Sequence, residues 1–313
     1  MNKRFSSSPL PFRGSKRYYI KRFREVLAQA DDIDTVVDLF GGSGLLSRVA
    51  KDMLPNCRVI YNDFDHYDQR LANVANTNAL LRSIAPLVVT VPDNKKIPAE
   101  TKKTILELCA KAEKEHAVDY ITLSGSLLFS GNWAQSYEQL SKQTMYNRMV
   151  KTDYDVTNYL QGLEVTHCDY RELFEVHKEN KKALFLLDPP YLQTEHSAYK
   201  ADTYWQLKDY LDVLTLLNGT KYVLFTSGKS QIIELCDWIN KQFNATLLNG
   251  AQKYEQNSRI NDFAAYKDIM ITSCKLSFAQ AFTSRDKQTR NNLKMERQKR
   301  KLSPFQNGCN TTN

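Results

Sequence analysis

The chain has 313 residues, 42% of them hydrophobic and 25% charged, which fits one large α/β domain with a smaller inserted or appended unit. No apolar run approaches the roughly 18 residues of a membrane-spanning helix, and the basic N-terminus lacks the apolar core of a signal peptide. We therefore expect a cytoplasmic protein with no membrane partner. The six cysteines include no Cys-x-x-Cys pair and the five histidines are scattered, so no metal site is predicted.

Positive charge is concentrated at both ends of the chain. The net charge is +8, yet residues 1–24 alone contribute +8 and residues 284–301 contribute +6, which leaves −6 for the rest. Basic ends are expected where a protein contacts a polyanion such as nucleic acid, but they also simply keep a chain in solution. Charge alone leaves both interpretations open.

The first part of the chain alternates strand-like and helix-like segments. Short apolar runs rich in β-branched residues, each followed by a turn, predict buried strands at 35–40 and 58–62. Helical periodicity and helix-favouring composition predict helices at 15–29, 43–53 and 67–81. This alternation is typical of units whose strands pair in parallel.

Residues 85–160 interrupt the alternation with a helix at about 99–114 and few strand signals, so we interpret them as an insertion. The later segments predicted are strands at 163–167, 183–187, 222–226, 245–248 and 268–272, and helices at 204–217 and 230–243. We therefore predict an α/β protein with a doubly wound, mostly parallel sheet built from residues 1–84 and 161–281. A basic tail poor in aliphatic residues follows at 282–313, and we expect it to be disordered.

The ends of the first two strands carry residues suited to a nucleoside ligand. The first strand ends in Asp38, and a glycine-rich turn containing Phe40, Gly41 and Gly44 leads directly into a helix. Glycines let a ligand approach the backbone, and the following helix N-terminus favours a ligand carboxylate. Asp38 can accept hydrogen bonds from a ligand ammonium. Asp63 follows the second strand at a spacing suited to ribose hydroxyls, although capping the next helix is the alternative role.

The fourth strand, at 183–187, runs directly into Asp188-Pro189-Pro190-Tyr191. An acid after a fully buried strand is costly unless it has a function. Two successive prolines fix the backbone and leave carbonyl groups free to accept hydrogen bonds. The Asp188 carboxylate and the Pro189 carbonyl can accept the two N–H groups of a base amino group, while the Tyr191 ring stacks on the base.

These motifs, in this order, resemble the Dam-like family of DNA adenine-N6 methyltransferases over roughly residues 9–275. The Asp-Pro-Pro-Tyr segment at 188–191 is similar to the catalytic motif of that family. The segments at 40–44 and 11–16 resemble its S-adenosylmethionine motif and its N-terminal motif. The resemblance implies a Rossmann-like methyltransferase fold, S-adenosylmethionine as cofactor and double-stranded DNA as substrate. It also implies methyl transfer to the N6 amino group of adenine after the base has left the duplex.

The resemblance further implies roles for individual residues. Asp188, Pro189, Pro190 and Tyr191 would be catalytic, and no metal would be needed. The implied cofactor contacts are Lys16 near the cofactor, Asp38, Phe40, Gly41 and Gly44 at its methionine part, Asp63 at its ribose and Asp169 at its adenine. Ser227 would form the floor of the target-base pocket. Two segments depart from the family pattern, Gly-Ser-Lys at 14–16 and Phe-Gly-Gly-Ser-Gly at 40–44, so details of the cofactor contacts stay open.

Residues 85–160 would form the inserted target-recognition domain, with Asn132, Trp133 and Arg148 as candidate DNA contacts. A core role for Trp133 is equally open. The alternatives to adenine methylation are an amino-group methyltransferase acting on cytosine N4, RNA or protein glutamine, and a catalytically inactive DNA-binding relative. A restriction nuclease that acts separately is compatible with the sequence as a partner.

Overall fold

The computed structural model describes residues 5–129, 131–190, 205–228, 230–261 and 264–274, with the backbone alone for 257–261 and 264–266. Residues 191–204 and 275–313 lie outside the described part of the chain. Tyr191, the first residue of the helix predicted at 204–217 and the tail predicted at 282–313 therefore fall outside it. Within the described part of the chain, none of the helices has the length and apolarity that crossing a membrane would require.

A seven-stranded sheet forms the centre of the described structure, in the order β3-β2-β1-β4-β5-β7-β6. Its strands are β1 (Thr35–Asp38), β2 (Arg58–Asn62), β3 (Glu164–Thr166), β4 (Ala183–Leu187), β5 (Lys221–Ser227), β6 (Gln252–Asn261) and β7 (Ala264–Thr272). The first five strands pair in parallel, whereas β7 runs antiparallel to both β5 and β6. This confirms the predicted α/β fold with a mostly parallel sheet.

Helices cover both faces of the sheet, which explains why β1 and β4 are buried at successive positions rather than at alternate ones. Leu184 and Leu186 pack in one core with the first two helices, while Phe185 and Leu187 pack in another with the later helices. The helices are α1 (Ile20–Leu27), α2 (Leu45–Met53), α3 (Tyr67–Ala72), α4 (Val74–Ile84), α5 (Ala99–Glu115), α6 (Tyr120–Leu127), α7 (Tyr137–Lys142), α8 (Tyr170–His177), α9 (Leu207–Leu216) and α10 (Ile232–Phe243).

The structure corrects the sequence prediction in two places. The helix predicted at 67–81 is two helices, α3 and α4, which meet at Asn73. The strand predicted at 245–248 is wrong, because this segment forms a turn, and the strand lies instead at Gln252–Asn261. That strand is polar because it forms the outer edge of the sheet and pairs only with β7, so it lacks the apolar run that marks the central strands.

The predicted insertion is helical, and α5, α6 and α7 pack around a cluster of buried residues that includes Ile105, Leu123 and Leu140. This cluster continues into α4 through Leu81 and Ile84. A polar contact ties this region to the sheet domain. The Arg70 guanidinium of α3 donates to the Asp119 carboxylate at 3.0 Å and to the Pro11 carbonyl at 2.9 Å. The insertion is thereby held beside the N-terminal segment that carries the predicted motif at 11–16.

Candidate active site at the carboxyl edge of the sheet

The chain order places two acids side by side at one edge of the sheet. From β1 the chain builds outward to β2 and β3, and it then returns to place β4 on the other side of β1. Because β1 and β4 are parallel neighbours, Asp38 at the end of β1 and Asp188 just after β4 lie at the same edge. Ligands of doubly wound sheets bind at this reversal of strand order.

The glycine turn after β1 is shaped by the ring of Tyr61. A Cβ atom on residue 41 would lie 2.3 Å from that ring and 2.8 Å from the Asn62 carbonyl oxygen, so only glycine fits. The Tyr61 hydroxyl donates to the Gly42 carbonyl at 2.7 Å. Gly44 has a φ of 70° and caps the N-terminus of α2, a conformation that costs glycine little. The turn is therefore built against β2 and directs α2 toward the strand end.

Asp38 is fully buried and only partly satisfied. Its Oδ2 accepts a hydrogen bond from the Ser47 hydroxyl at 2.6 Å, while its Oδ1 has no hydrogen-bond partner among the described residues. Burial raises the pKa of Asp38 from 3.8 to about 7, Ser47 opposes this effect, and the charge of Asp188 adds to it. A buried carboxylate oxygen without a partner is a place for a ligand that donates hydrogen bonds.

Asp188 is paired with Lys16, which the N-terminal segment brings to the strand end. The Lys16 ammonium lies 2.5 Å from Asp188 Oδ2, and the two side chains are 10% and 18% exposed. Burial raises the pKa of Asp188, although Lys16 lowers it, and the charge of Asp268 on β7 raises it further. The lysine also donates to the Gly14 carbonyl at 2.8 Å, so residues 14–16 wrap around the acid.

Asp63 lies directly after β2, where the sequence places it, but its oxygens already have partners. Oδ1 accepts the Tyr67 amide at 2.8 Å and Oδ2 accepts the Asp68 amide at 2.7 Å, so the residue caps α3. The side chain is buried. The capping role that the sequence left as the alternative is thus present, and any ribose contact would have to use the remaining lone pairs.

Asn62 connects three of the loops at this edge. Its side-chain nitrogen donates to the Leu39 carbonyl at 3.0 Å and to the Cys168 carbonyl at 2.9 Å, and its oxygen accepts the Cys168 amide at 3.1 Å. Asp169 follows and caps α8 through the Arg171 amide at 2.7 Å, with its side chain 46% exposed. Asp169 therefore stands at the same edge as Asp38 and Asp63, with its carboxylate accessible.

Aromatic rings gather beside the glycine turn. The Phe40 ring lies 4.8 Å from that of Tyr170 and 5.4 Å from that of Trp205, and Tyr170 stacks on Trp205 at 5.5 Å. A half-buried group of this kind offers apolar and stacking surface to a planar ligand.

A pocket opens beneath the prolines of the 188–191 segment. Pro189, Pro190, Thr226 and Ser230 help to line it. The Thr226 and Ser230 hydroxyls lie 2.6 Å apart. Ser227, which was expected to form the floor of the target-base pocket, is the buried last residue of β5. It is not among the residues that line this pocket, which include its neighbour Thr226 instead.

The three candidate DNA contacts lie in the insertion rather than at the strand ends. Asn132 is exposed and Trp133 is half-buried. The Arg148 guanidinium donates to the Leu128 carbonyl at 2.9 Å and so holds the loop after α6. Next to it, Phe129 is 43% exposed and packs edge-on against Tyr146.

Sequence reasoning missed three contributors to this site. Lys16 was expected near a cofactor, but its direct pairing with Asp188 joins residues too distant in the chain for any local pattern to show. Ser47 is the partner of Asp38, and its place in the first turns of α2 was the available signal. Trp205 joins Phe40 only through the fold.

Comparison with known proteins agrees with this geometry. Residues 12–256 match the model of the family described as "D12 class N6 adenine-specific DNA methyltransferase". The chain is also 37% identical over 279 residues to a Haemophilus influenzae protein named "Putative methyltransferase", covering 86% of this chain and 93% of that protein. The family match spans both acids, Lys16 and the insertion. The chain therefore belongs to the D12 class N6 adenine-specific DNA methyltransferase family.

Proposed function

We propose that this protein transfers a methyl group from S-adenosylmethionine to the N6 amino group of adenine in double-stranded DNA. One observation carries the proposal. Asp38 and the Asp188-Pro189-Pro190 segment lie next to each other where the strand order reverses, so a ligand held by the first faces the acceptors of the second. Membership of an adenine-specific DNA methyltransferase family supports the choice of base and polymer.

The charges of the site fit S-adenosylmethionine. The free ligand carries a sulfonium, an ammonium and a carboxylate, and is therefore a net cation. Asp38 and Asp188 together carry more negative charge than Lys16 neutralises, and burial makes that excess costly. The open Oδ1 of Asp38 supplies an acceptor for the ligand ammonium. The residues present thus fit the cofactor.

The remaining cofactor contacts are assigned by position along the sheet edge. We assign the methionine part to Asp38, Phe40 and the turn from Gly41 to Gly44, with Lys16 nearby. The ribose belongs to the loop after β2, which begins with Asp63. The adenine ring lies near Asp169, and the rings beside Phe40 supply stacking surface. Asn62 holds the loops after β1 and β3 in position by donating to the carbonyls of Leu39 and Cys168.

Asp188 acts on the nitrogen that receives the methyl group. S-adenosylmethionine supplies an electrophilic methyl group bound to sulfur. The Asp188 carboxylate and the Pro189 carbonyl accept the two N–H groups and hold the nitrogen lone pair toward the methyl carbon. As the C–N bond formed, the C–S bond would break and the sulfur would leave as a neutral thioether. The nitrogen, now positively charged, would pass one proton through the Asp188 carboxylate to solvent. An acceptor fixed in a buried site stabilises that developing charge.

The DNA lies against the basic N-terminal segment and the insertion. Arg13 and Arg17 are exposed, as is Tyr18, and this segment carries the lysine that touches Asp188. Phosphate contacts there would bring the duplex to the strand edge. The target adenine must leave the duplex to reach the acid, because its amino group is otherwise paired. Tyr191 stacks on the extruded base, and residues 85–160 act as the target-recognition domain beside 1–84 and 161–281.

The test is transfer of a labelled methyl group from S-adenosylmethionine to duplex DNA, RNA and protein in parallel, with the product base identified by mass spectrometry. We expect N6-methyladenine in DNA. Asp188→Ala should lower single-turnover rate by at least about a hundredfold while cofactor binding persists, as for loss of one preorganised transition-state hydrogen bond.

Asp34→Ala is the matched control, because Asp34 lies at the opposite, amino-terminal end of β1 and bonds to Asn180 on the surface. This variant should keep full activity. Methylcytosine as the main product, transfer to RNA or protein alone, or normal turnover by the Asp188→Ala enzyme would each contradict the proposal.

A further inference from the structure

Two histidines and an aspartate meet where the loops after β2 and β3 come together. His66, Asp68 and His167 each offer one ligand atom, and these atoms all lie within 4.8 Å of one another. The two imidazole rings are stacked with centroids 4.7 Å apart. His167 Nε2 lies 3.3 Å from Asp68 Oδ2. His167 lies about a hundred residues after the other two, so no metal-ligand spacing is visible in the sequence.

The hydrogen bonds of His167 determine which of its nitrogens is available. Its Nδ1 lies 2.7 Å from the Asp63 carbonyl oxygen, and a carbonyl can only accept, so Nδ1 carries a hydrogen. In the neutral ring Nε2 then presents a lone pair toward the Asp68 carboxylate. Two acceptors this close repel unless a cation lies between them or Nε2 binds a proton. A histidine that donates through one nitrogen to a carbonyl and offers the other is the usual metal-ligating arrangement.

The other two ligands are also held in place. Asp68 Oδ1 accepts the Gln69 amide at 2.7 Å, and the Asp68 amide itself donates to Asp63, so Oδ2 is the oxygen left for a ligand. His66 has φ 54° and ψ 43°, the left-handed region that non-glycine residues seldom occupy. Such conformations cost free energy and cluster at functional sites. The three side chains are exposed or half-exposed, so an ion can reach them.

We propose that His66, Asp68 and His167 form an open binding site for a divalent transition-metal ion of the Zn²⁺ class. Two imidazole nitrogens and one carboxylate oxygen suit Zn²⁺, whereas Mg²⁺ prefers oxygen ligands throughout. Water fills the remaining positions. The ion cross-links the loop that begins at Asp63 with the loop that precedes Asp169. The site itself does not depend on methyl transfer, so its test stands apart from that of the proposed function.

The test uses the untagged full chain, freed of metal by chelation and then titrated with Zn²⁺ by calorimetry and with Co²⁺ by visible absorption. We expect one ion per chain and no binding of Mg²⁺. His167→Gln keeps a donor for the Asp63 carbonyl but removes Nε2. His66→Asn suits the left-handed conformation but removes the imidazole. Each should weaken Zn²⁺ binding at least about tenfold, the scale seen when the support of a metal ligand is lost.

His116→Gln is the control, because His116 directly follows α5 and its ring makes one hydrogen-bond contact among those described, with the neighbouring Ala117 carbonyl. It should bind Zn²⁺ as the wild type does. Thermal unfolding of the metal-free variants checks that each is folded. Absence of stoichiometric Zn²⁺ binding in the wild type would overturn the proposal. Wild-type affinity in both His66→Asn and His167→Gln would overturn it as well.

Discussion

Replacing Asp38 by asparagine should stabilise the cofactor-free protein at alkaline pH while weakening its binding of S-adenosylmethionine. Asparagine has nearly the same shape and still accepts the Ser47 hydroxyl, but it never becomes charged. In the wild type the carboxylate is fully buried, close to Asp188, and has one oxygen without a hydrogen-bond partner among the described residues. The substitution therefore removes a buried charge that only a ligand compensates.

The size of the effect follows from the pKa of Asp38, which burial raises from 3.8 to about 7. The folded protein thus binds this proton more tightly than the unfolded chain does. The contribution of Asp38 to the free energy of unfolding therefore falls as pH rises from about 4 to about 7, and it is constant above that. Since each tenfold change in proton affinity is worth about 1.4 kcal/mol, the cost of ionising Asp38 in the folded protein is roughly 4 kcal/mol at pH values above about 7.

Urea unfolding of the cofactor-free wild type and Asp38→Asn variant, at pH values from about 4 to about 8, measures this cost. The advantage of the variant should be small at the acidic end and should grow to a few kcal/mol at the alkaline end. Calorimetry on the same samples should show S-adenosylmethionine binding weakened by more than about tenfold, the scale of one charged hydrogen bond.

Asp119→Asn is the matched control, since Asp119 is also buried but is paired with Arg70. Removing that charge leaves the guanidinium unpaired, so this variant should be less stable than the wild type. A stability difference for Asp38→Asn that does not change with pH, or a variant less stable than the wild type at alkaline pH, would refute the reasoning.

Three further predictions concern other parts of the site. Lys16→Met removes the cation that lowers the pKa of Asp188, so the rising limb of the single-turnover pH–rate profile should move to higher pH. A limb at the wild-type pH would argue against an ionised Asp188 in the reaction. Gly41→Ala should lower the free energy of unfolding, measured by urea denaturation, by roughly 1–3 kcal/mol, because its Cβ would overlap the Tyr61 ring. Gly125→Ala is the control and should be tolerated, because the nearest atom to its Cβ would be 3.4 Å away. Deletion of 284–301 should flatten the salt dependence of DNA binding without altering the methylated sequence. A changed target site would identify this segment as a specificity element.

The sequence predicted the central strands well because each is buried on both faces and therefore carries an uninterrupted apolar run. β2 and β4 have the predicted bounds, and Asp38 and Asp188 lie at one sheet edge. The edge strand β6 was missed, because a strand with one neighbour and an exposed face needs no such run. A run of apolar residues therefore predicts a strand that is buried on both faces, but not a strand at the sheet edge.

Sequence patterns did not predict contacts between segments that lie far apart in the chain. The Lys16–Asp188 pair and the His66–His167 stack each join loops that only the completed sheet brings together. For Asp63 the position after β2 was predicted, but the hydrogen-bond partners were not. Whether its oxygens serve a ligand or the α3 amides depends on sub-ångström geometry that spacing cannot reveal.

The polar edges of the sheet have a consequence for how molecules of this protein behave at high concentration. An unpaired strand edge is a template on which another chain can add a strand and begin to aggregate. Here β6 presents exposed Lys253 and Glu255 along one edge, and β3, at the other, is three residues long with the exposed Arg58–Glu164 pair at its start. Burying these charges against a second sheet would be costly, so strand addition is disfavoured at both sides. The protein can thus reach a high local concentration without its sheets joining edge to edge.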